Sequence, residues 1–300
     1  MWSYVVNSRK GSRGSSLNFI VGDYGHGKTF SLYAILEQYK DDLKILGVFV
    51  KLLREDTTPK FGVDFIHLIF SRIDINQINK SDARKALKQL PSLQRQASIL
   101  SKWLEGDELA RDFLSGRGPL KANELAKLGS VQAIKSTDMA KEYLIALLYA
   151  LKACGKPTML LCVDEVEYLF SQMRGAKVAN VINTLRDMYD LPSSPEVREL
   201  RLDIANIIFF LGISQSGWES LNNLERKEQA QGGPIQPFFS RGHKVVELGP
   251  LSRKETEELI ERRLKHDRTA PRTDFRQDPL IPYSEDFVEY VYQLTLGNPR

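Results

Sequence analysis

Cysteine is almost missing from this sequence: Cys154 and Cys162 are the only two in 300 residues. Two thiols cannot staple a chain of this size, and Cys162 lies inside an apolar run, where a buried free thiol is expected. A disulfide-framed secreted fold is therefore excluded, and a cytoplasmic setting is expected. Histidine is scarce as well. Its four copies include no pair at ligand spacing, so no zinc site is expected, and neither cysteine has the surroundings of a nucleophile. Nowhere do about 18 apolar residues follow one another, so no membrane span is expected. Met1-Trp2-Ser3-Tyr4-Val5-Val6-Asn7 lacks the basic stretch and long apolar core of a secretory signal. Neither sign of charge dominates, with 42 basic against 38 acidic residues and a net charge of +4. That balance permits nucleic-acid contact without predicting it. The one basic cluster near a motif, Arg9, Lys10 and Arg13, reads as a solvated segment.

What is present is an ordinary globular composition, 42% hydrophobic and 27% charged. Its length suits one large α/β domain with a small partner. Leu17-Asn18-Phe19-Ile20-Val21 predicts a strand ended by Gly22. A helix comes next, with Leu32, Ile35, Leu36 and Tyr39 at helical spacing. Residues 45–52 read as a strand and 61–73 as a helix. Residues 81–135 are polar with scattered Leu87, Leu90, Leu93, Ile99, Leu100, Trp103 and Leu104. They predict a helical insertion, because a structureless loop of that length would be unusual. A helix over 138–153 precedes the continuously apolar strand Thr158-Met159-Leu160-Leu161-Cys162-Val163. A helix near 178–189 and a buried strand over 206–211 come after it. Asn222 to Ser240, rich in Gln, Asn, Gly and Pro, predicts a mobile loop. Residues 244–248 form the last expected strand. Ser252 with Glu255 reads as a capping box, and a helix from about 284 ends at Gly297. Strands alternating with helices predict an α/β fold with a parallel sheet covered on both faces. Both ends read as cut: the first strand starts about 16 residues in, and Gly297-Asn298-Pro299-Arg300 reads as a connection into a further helix.

Gly22-Asp23-Tyr24-Gly25-His26-Gly27-Lys28-Thr29 matches G-x-x-x-x-G-K-[ST] in full, between a strand and a helix. A triphosphate must approach several backbone N–H groups closely, and glycines allow the wrap that Cβ atoms would obstruct. The helix behind the loop adds its positive end. In this pattern Lys28 reaches the β- and γ-phosphates, and the Thr29 hydroxyl ligates Mg²⁺. Strand 158–163 then delivers Asp164 and Glu165 at its C-terminal edge, where open α/β sheets bind ligands. Asp164 is expected to hold Mg²⁺ through its water shell, and Glu165 to orient and polarise an attacking water. Paired acids after a strand also serve as helix caps; beside a phosphate loop the chemical reading outweighs that one. Glu167, two residues on, is not expected to share Glu165's direction.

This order of motifs resembles the AAA+ ATPase plan over most of the chain, most closely its initiator-like, origin-recognition branch. Gly22 to Phe30, Asp164-Glu165-Val166-Glu167 and the segment around Trp103-Leu104-Glu105-Gly106 are also similar to ATP-binding proteins of bacteriophage-exclusion (BREX) defence systems. The resemblance implies an αβα P-loop NTPase sandwich whose five-stranded parallel sheet has the order 5-1-4-3-2. It implies a nucleotide-binding domain over 1–250, with a helical insertion at about 75–135, and the start of a helical lid over 251–300. It implies ATP and Mg²⁺ as cofactors, with Phe30 added to the nucleotide-binding stretch. Ser214 would stand between Glu165 and the γ-phosphate, with Gln215 or Ser216 as alternatives, since Asn or Thr is more usual there. Arg241 would reach a neighbouring subunit's γ-phosphate, and Arg300 would face the nucleotide from the lid. The implied partners are DNA or a protein, and another subunit meeting the chain through the ATP site.

Two functions compete: an oligomeric motor or loader that consumes ATP, and a slowly hydrolysing switch held in one conformation by ATP. A small-molecule kinase would need an acceptor pocket for which no motif is found. A relic site is at odds with the full set Lys28, Thr29, Asp164 and Glu165.

Overall fold

The computed structural model describes residues 15–53, 60–118, 120–129, 132–171, 176–229, 243–267, 280 and 283–299. In chain order its main elements are β1 (Ser16–Gly22), α1 (Lys28–Gln38), β2 (Ile45–Lys51), α2 (Phe61–Arg72), α3 (Lys80–Lys88), α4 (Gln94–Glu105), α5 (Glu108–Ser115), α6 (Ala122–Leu128) and α7 (Thr137–Ala153). Then come β3 (Thr158–Asp164), α8 (Tyr168–Ser171), α9 (Ala176–Asp190), α10 (Pro195–Glu199), β4 (Asn206–Ile213), α11 (Gln215–Gln229), β5 (His243–Leu248), α12 (Arg253–Asp267) and α13 (Glu285–Thr295).

The five strands form one parallel sheet in the order β2-β3-β4-β1-β5, which is the expected 5-1-4-3-2 seen from the other edge. β1, β3 and β4 are buried along their whole length, which suits their near-continuous apolar sequences. Successive side chains alternate between the faces. On one face Ile20, Leu160, Cys162, Ile208 and Phe210 pack with Leu32 and Tyr39, at the end of α1. On the other, Phe19, Val21, Leu161 and Phe209 join the larger core, which includes α2 and α7. The register pairs Lys51 with Asp164, Val163 with Leu211, Val21 with Ile213 and Gly22 with Leu248. All five C-terminal ends therefore emerge along one edge.

The polar stretch after α2 folds as α3 to α6, helical as expected. Leu87, Leu90, Leu93, Ile99, Leu100, Trp103 and Leu104 are all buried and continuous with the larger core. Each such side chain contributes about 1.5–3 kcal/mol by leaving water. The helix ends are set locally. The side chains of Asn79 and Asp107 accept from Asp82 N and Ala110 N, and Gly106, Gly116 and Gly129 close helices in the left-handed region.

One of the expected elements differs in the structure. The loop expected from Asn222 begins instead as helix, because α11 runs on to Gln229. Buried Trp218 and Leu221, with Leu224 packed against the core, form a three-residue spacing on one face. Glu225 to Gln229, which follow Leu224, are all good helix formers. The remainder of that stretch, 230–240, lies outside the described residues.

α12 and α13 pack against each other, with Arg253 Nε 2.7 Å from Glu289 Oε2. The expected capping box is present: Ser252 N donates to Glu255 Oε2 at 2.8 Å, and Glu255 N to Ser252 Oγ at 3.3 Å. No described helix is long and apolar enough to cross a membrane.

Candidate functional site

The site grows from the strand edge. β1 stops at Gly22, whose backbone runs so close to β5 that a Cβ there would lie 2.9 Å from Leu248 O. The chain then turns, with His26 N donating to Asp23 O at 3.1 Å, and passes through Gly25 (φ 93°) and Gly27 (φ 84°). Both angles are strained for any residue with a Cβ. Helix α1 starts at Lys28 without a side-chain cap and with no acid in its first turn. Its orphan N–H groups and positive end are thus left for an anion. His26 ties the loop to the end of β5, its Nδ1 3.0 Å from Leu248 O.

Lys28 Nζ donates to Gly22 O at 2.8 Å and Asp23 O at 3.1 Å. Thr29 Oγ1 donates to Asp164 Oδ2 at 2.6 Å, joining two motifs 135 residues apart. Asp164 is 1% exposed, and its Oδ1 is buried with no hydrogen-bond partner. Gly212 on β4 leaves room for it, since a Cβ there would lie 2.9 Å from that oxygen. A buried carboxylate oxygen left unpaired is costly. Here it adjoins a hydroxyl, so Asp164 and Thr29 offer hard oxygens that could hold a divalent cation. Among the described residues no group of three or more His, Cys, Asp or Glu is placed to hold a metal alone. Magnesium is typically held by one or two protein oxygens together with substrate phosphates and water.

Glu165 leaves the strand at φ 60°, a left-handed conformation unusual for a residue other than glycine. Its Oε1 lies 3.9 Å from Lys51 Nζ at the end of β2. Burial raises the Glu165 pKa, and the neighbouring charges of Glu167 and Asp164 add to the rise; Lys51 and Lys28 oppose it.

A cavity of about 1040 Å³ opens over these groups. Tyr24 to Phe30 line it, as do Lys51, Glu165, Glu167 and Ser214. Gly22 and Asp23 stand behind, giving their carbonyls to Lys28. Of the three residues considered between Glu165 and the phosphates, only Ser214 lines the cavity. Its Oγ also accepts from Gly217 N at 3.1 Å, so it caps α11 as well. Gln215 reaches Glu219 instead, at 3.4 Å. Arg241 and Arg300 lie outside the described residues.

Glu167 departs from expectation. It shares the cavity with Glu165, and its Oε2 is buried without a partner. Strand alternation alone would place residues 165 and 167 on the same side, so the cavity follows that rule and the expectation did not. Sequence reasoning also passed over Lys51, although a lysine ending an otherwise apolar strand was the available signal. It missed a further part of the lining too, which includes Leu248 to Leu251, Glu255, Leu259 and Arg263. Those last three recur every four residues along α12, the spacing of one helix face.

No curated protein matches the chain. A family model described as "BREX system ATP-binding protein BrxC/D" matches residues 78–272. That span covers Asp164, Glu165 and Ser214 and begins after the phosphate loop. Of the two branches the sequence resembles, the match is to the BREX one. The chain belongs to the BREX system ATP-binding protein BrxC/D family.

Proposed function

We propose that this chain binds Mg-ATP in the 1040 Å³ cavity and hydrolyses it, using the cycle in phage defence to remodel or load a DNA or protein partner. The observation that carries the reading is the meeting of Thr29 Oγ1 with Asp164 Oδ2 at 2.6 Å, beside a buried carboxylate oxygen that has no partner. The family's description supports the nucleotide.

The loop N–H groups and the start of α1 would hold the phosphates. Lys28 would exchange its two carbonyl contacts for β- and γ-phosphate oxygens, where both donor and acceptor carry charge. Thr29 and Asp164 would hold magnesium, which when bound neutralises phosphate charge. Glu165, made more basic by burial and by Glu167, would accept a proton from water, and Ser214 would help place that water. Arg241 is assigned to a neighbouring subunit's γ-phosphate, so that assembly through the ATP site completes it. Arg300 is assigned to the nucleotide from the lid. We assign residues 1–250 to the nucleotide-binding domain and 251–300 to the start of that lid, and place the protein in the cytoplasm.

ATP binding and phosphate release, measured with and without magnesium, test this reading. Wild type should do both, and Lys28→Ala should lose binding by about 100-fold or more. Equal ATP affinity in Lys28→Ala would overturn it.

One observation favours the switch reading. The Lys51 ammonium lies 3.9 Å from the Glu165 carboxylate and competes with water for it. In that reading turnover stays slow until a partner draws Lys51 away. Fast DNA-stimulated turnover in a ring would remove the switch; a monomer with negligible turnover would remove the motor.

A further inference from the structure

Between α13 and the phosphate loop a short segment is fastened at two points. Leu251 N donates to Gly297 O at 2.7 Å, and a Cβ on Gly297 would collide with Leu251 O. That contact pins the segment to the chain just after β5. One residue on, Asn298 Nδ2 donates to Tyr24 O at 3.3 Å, at the crown of the phosphate loop. The Asn298 carboxamide fills the space where a Cβ on Gly25 would sit. Pro299 then lines the ATP cavity itself.

Gly25 thus meets two demands at once. Its φ of 93° shapes the loop, and its missing side chain admits Asn298. A loop that wraps an anion with backbone amides holds it only while its crown stays in place. We propose that Asn298 is a positioning residue for the phosphate loop, clamping the Tyr24–Gly25 crown from outside so that nucleotide release requires the 297–299 segment to let go. Through Gly297 and Leu251 the same clamp couples α13 and the end of β5 to the loop. The proposal rests on the reading of the cavity as an ATP site.

The test is stopped-flow release of a fluorescent ATP analogue, with steady-state phosphate release alongside. Asn298→Ala should speed nucleotide release about five-fold, the size expected for one lost hydrogen bond. KM should rise by a similar factor, with a smaller change in kcat. Asn298→Asp keeps the side-chain shape but loses the donor, and should release nucleotide at least as fast as Asn298→Ala. A mutant cycle tests the steric half. Gly25→Ala should weaken ATP binding at least about three-fold less in the Asn298→Ala background than in wild type, because the added methyl then has room. Unchanged release in both Asn298 variants, or an equal Gly25→Ala penalty in both backgrounds, overturns the clamp and leaves the ATP site standing. A wild-type protein that retains no nucleotide overturns both.

Discussion

The sheet's C-terminal edge and the α3–α6 layer obey opposite rules. In the helical layer the local signals agree with the structure: polar caps at helix starts, glycines at helix ends, and every large apolar residue named from the sequence buried. At the sheet edge the rules are broken together. Glu165 holds a left-handed angle, Asp164 keeps a buried oxygen without a partner, and Glu167, three residues on, does the same. Stability is gathered in the first region and given up in the second, which is the pattern expected of a site prepared for a ligand.

Mutations can sharpen that contrast. The largest expected effect belongs to the helical layer. Trp103, 3% exposed and edge-on to Phe70 at 5.7 Å, should cost about 3–5 kcal/mol when replaced by Ala. Denaturant titration should register the loss, and the folded fraction should still bind ATP with wild-type affinity. At the sheet edge Gly212→Ala should cost about 1–3 kcal/mol, because its methyl would press on Asp164 Oδ1 and Leu32. Unlike Trp103→Ala, it should also cut turnover per folded molecule. Asp164→Asn should lower stability by less than about 1 kcal/mol or raise it, since it removes a buried charge, while abolishing phosphate release. A large stability loss in that variant would break the comparison.

The smallest effect concerns Lys51. Its pair with Glu165 is half exposed, so Lys51→Met should change turnover by no more than about five-fold, upward if the lysine restrains the carboxylate. The pH profile gives the sign. A carboxyl whose pKa is raised in the folded protein accepts protons at a higher pH than an ordinary glutamate. Turnover should therefore fall off as pH drops through that raised value. Lys51 opposes the rise, so Lys51→Met should move the acid limb to still higher pH. A limb that moves down would contradict the assignment.

The two regions were not equally legible. The candidate phosphate loop could be proposed from sequence because its pattern is written in eight consecutive residues. Asp164 and Glu165 could be singled out because open α/β sheets bind ligands beyond the C-terminal ends of their strands. The parallel sheet could be inferred from alternating strands and helices, but its strand order rested on resemblance, since nothing local in a strand names its neighbour. Glu167 escaped because it lies beyond the end of β3 at Asp164, where the period-of-two rule that puts it beside Glu165 was not applied. Lys51, Leu259 and Arg263 escaped because they come from elements far apart in sequence, and only the fold brings them to one cavity. The later part of α11 was misread because its apolar stripe is narrow, while the Gln- and Asn-rich stretch around it carries the composition of a loop.

The most direct measurement is a side-by-side assay of ATP retention and phosphate release for wild type and Glu165→Gln. The amide keeps the shape of the site but cannot take the water's proton. Retention should stay within about three-fold of wild type while phosphate release falls about 100-fold or more. Phosphate release at the wild-type rate in Glu165→Gln would contradict the account.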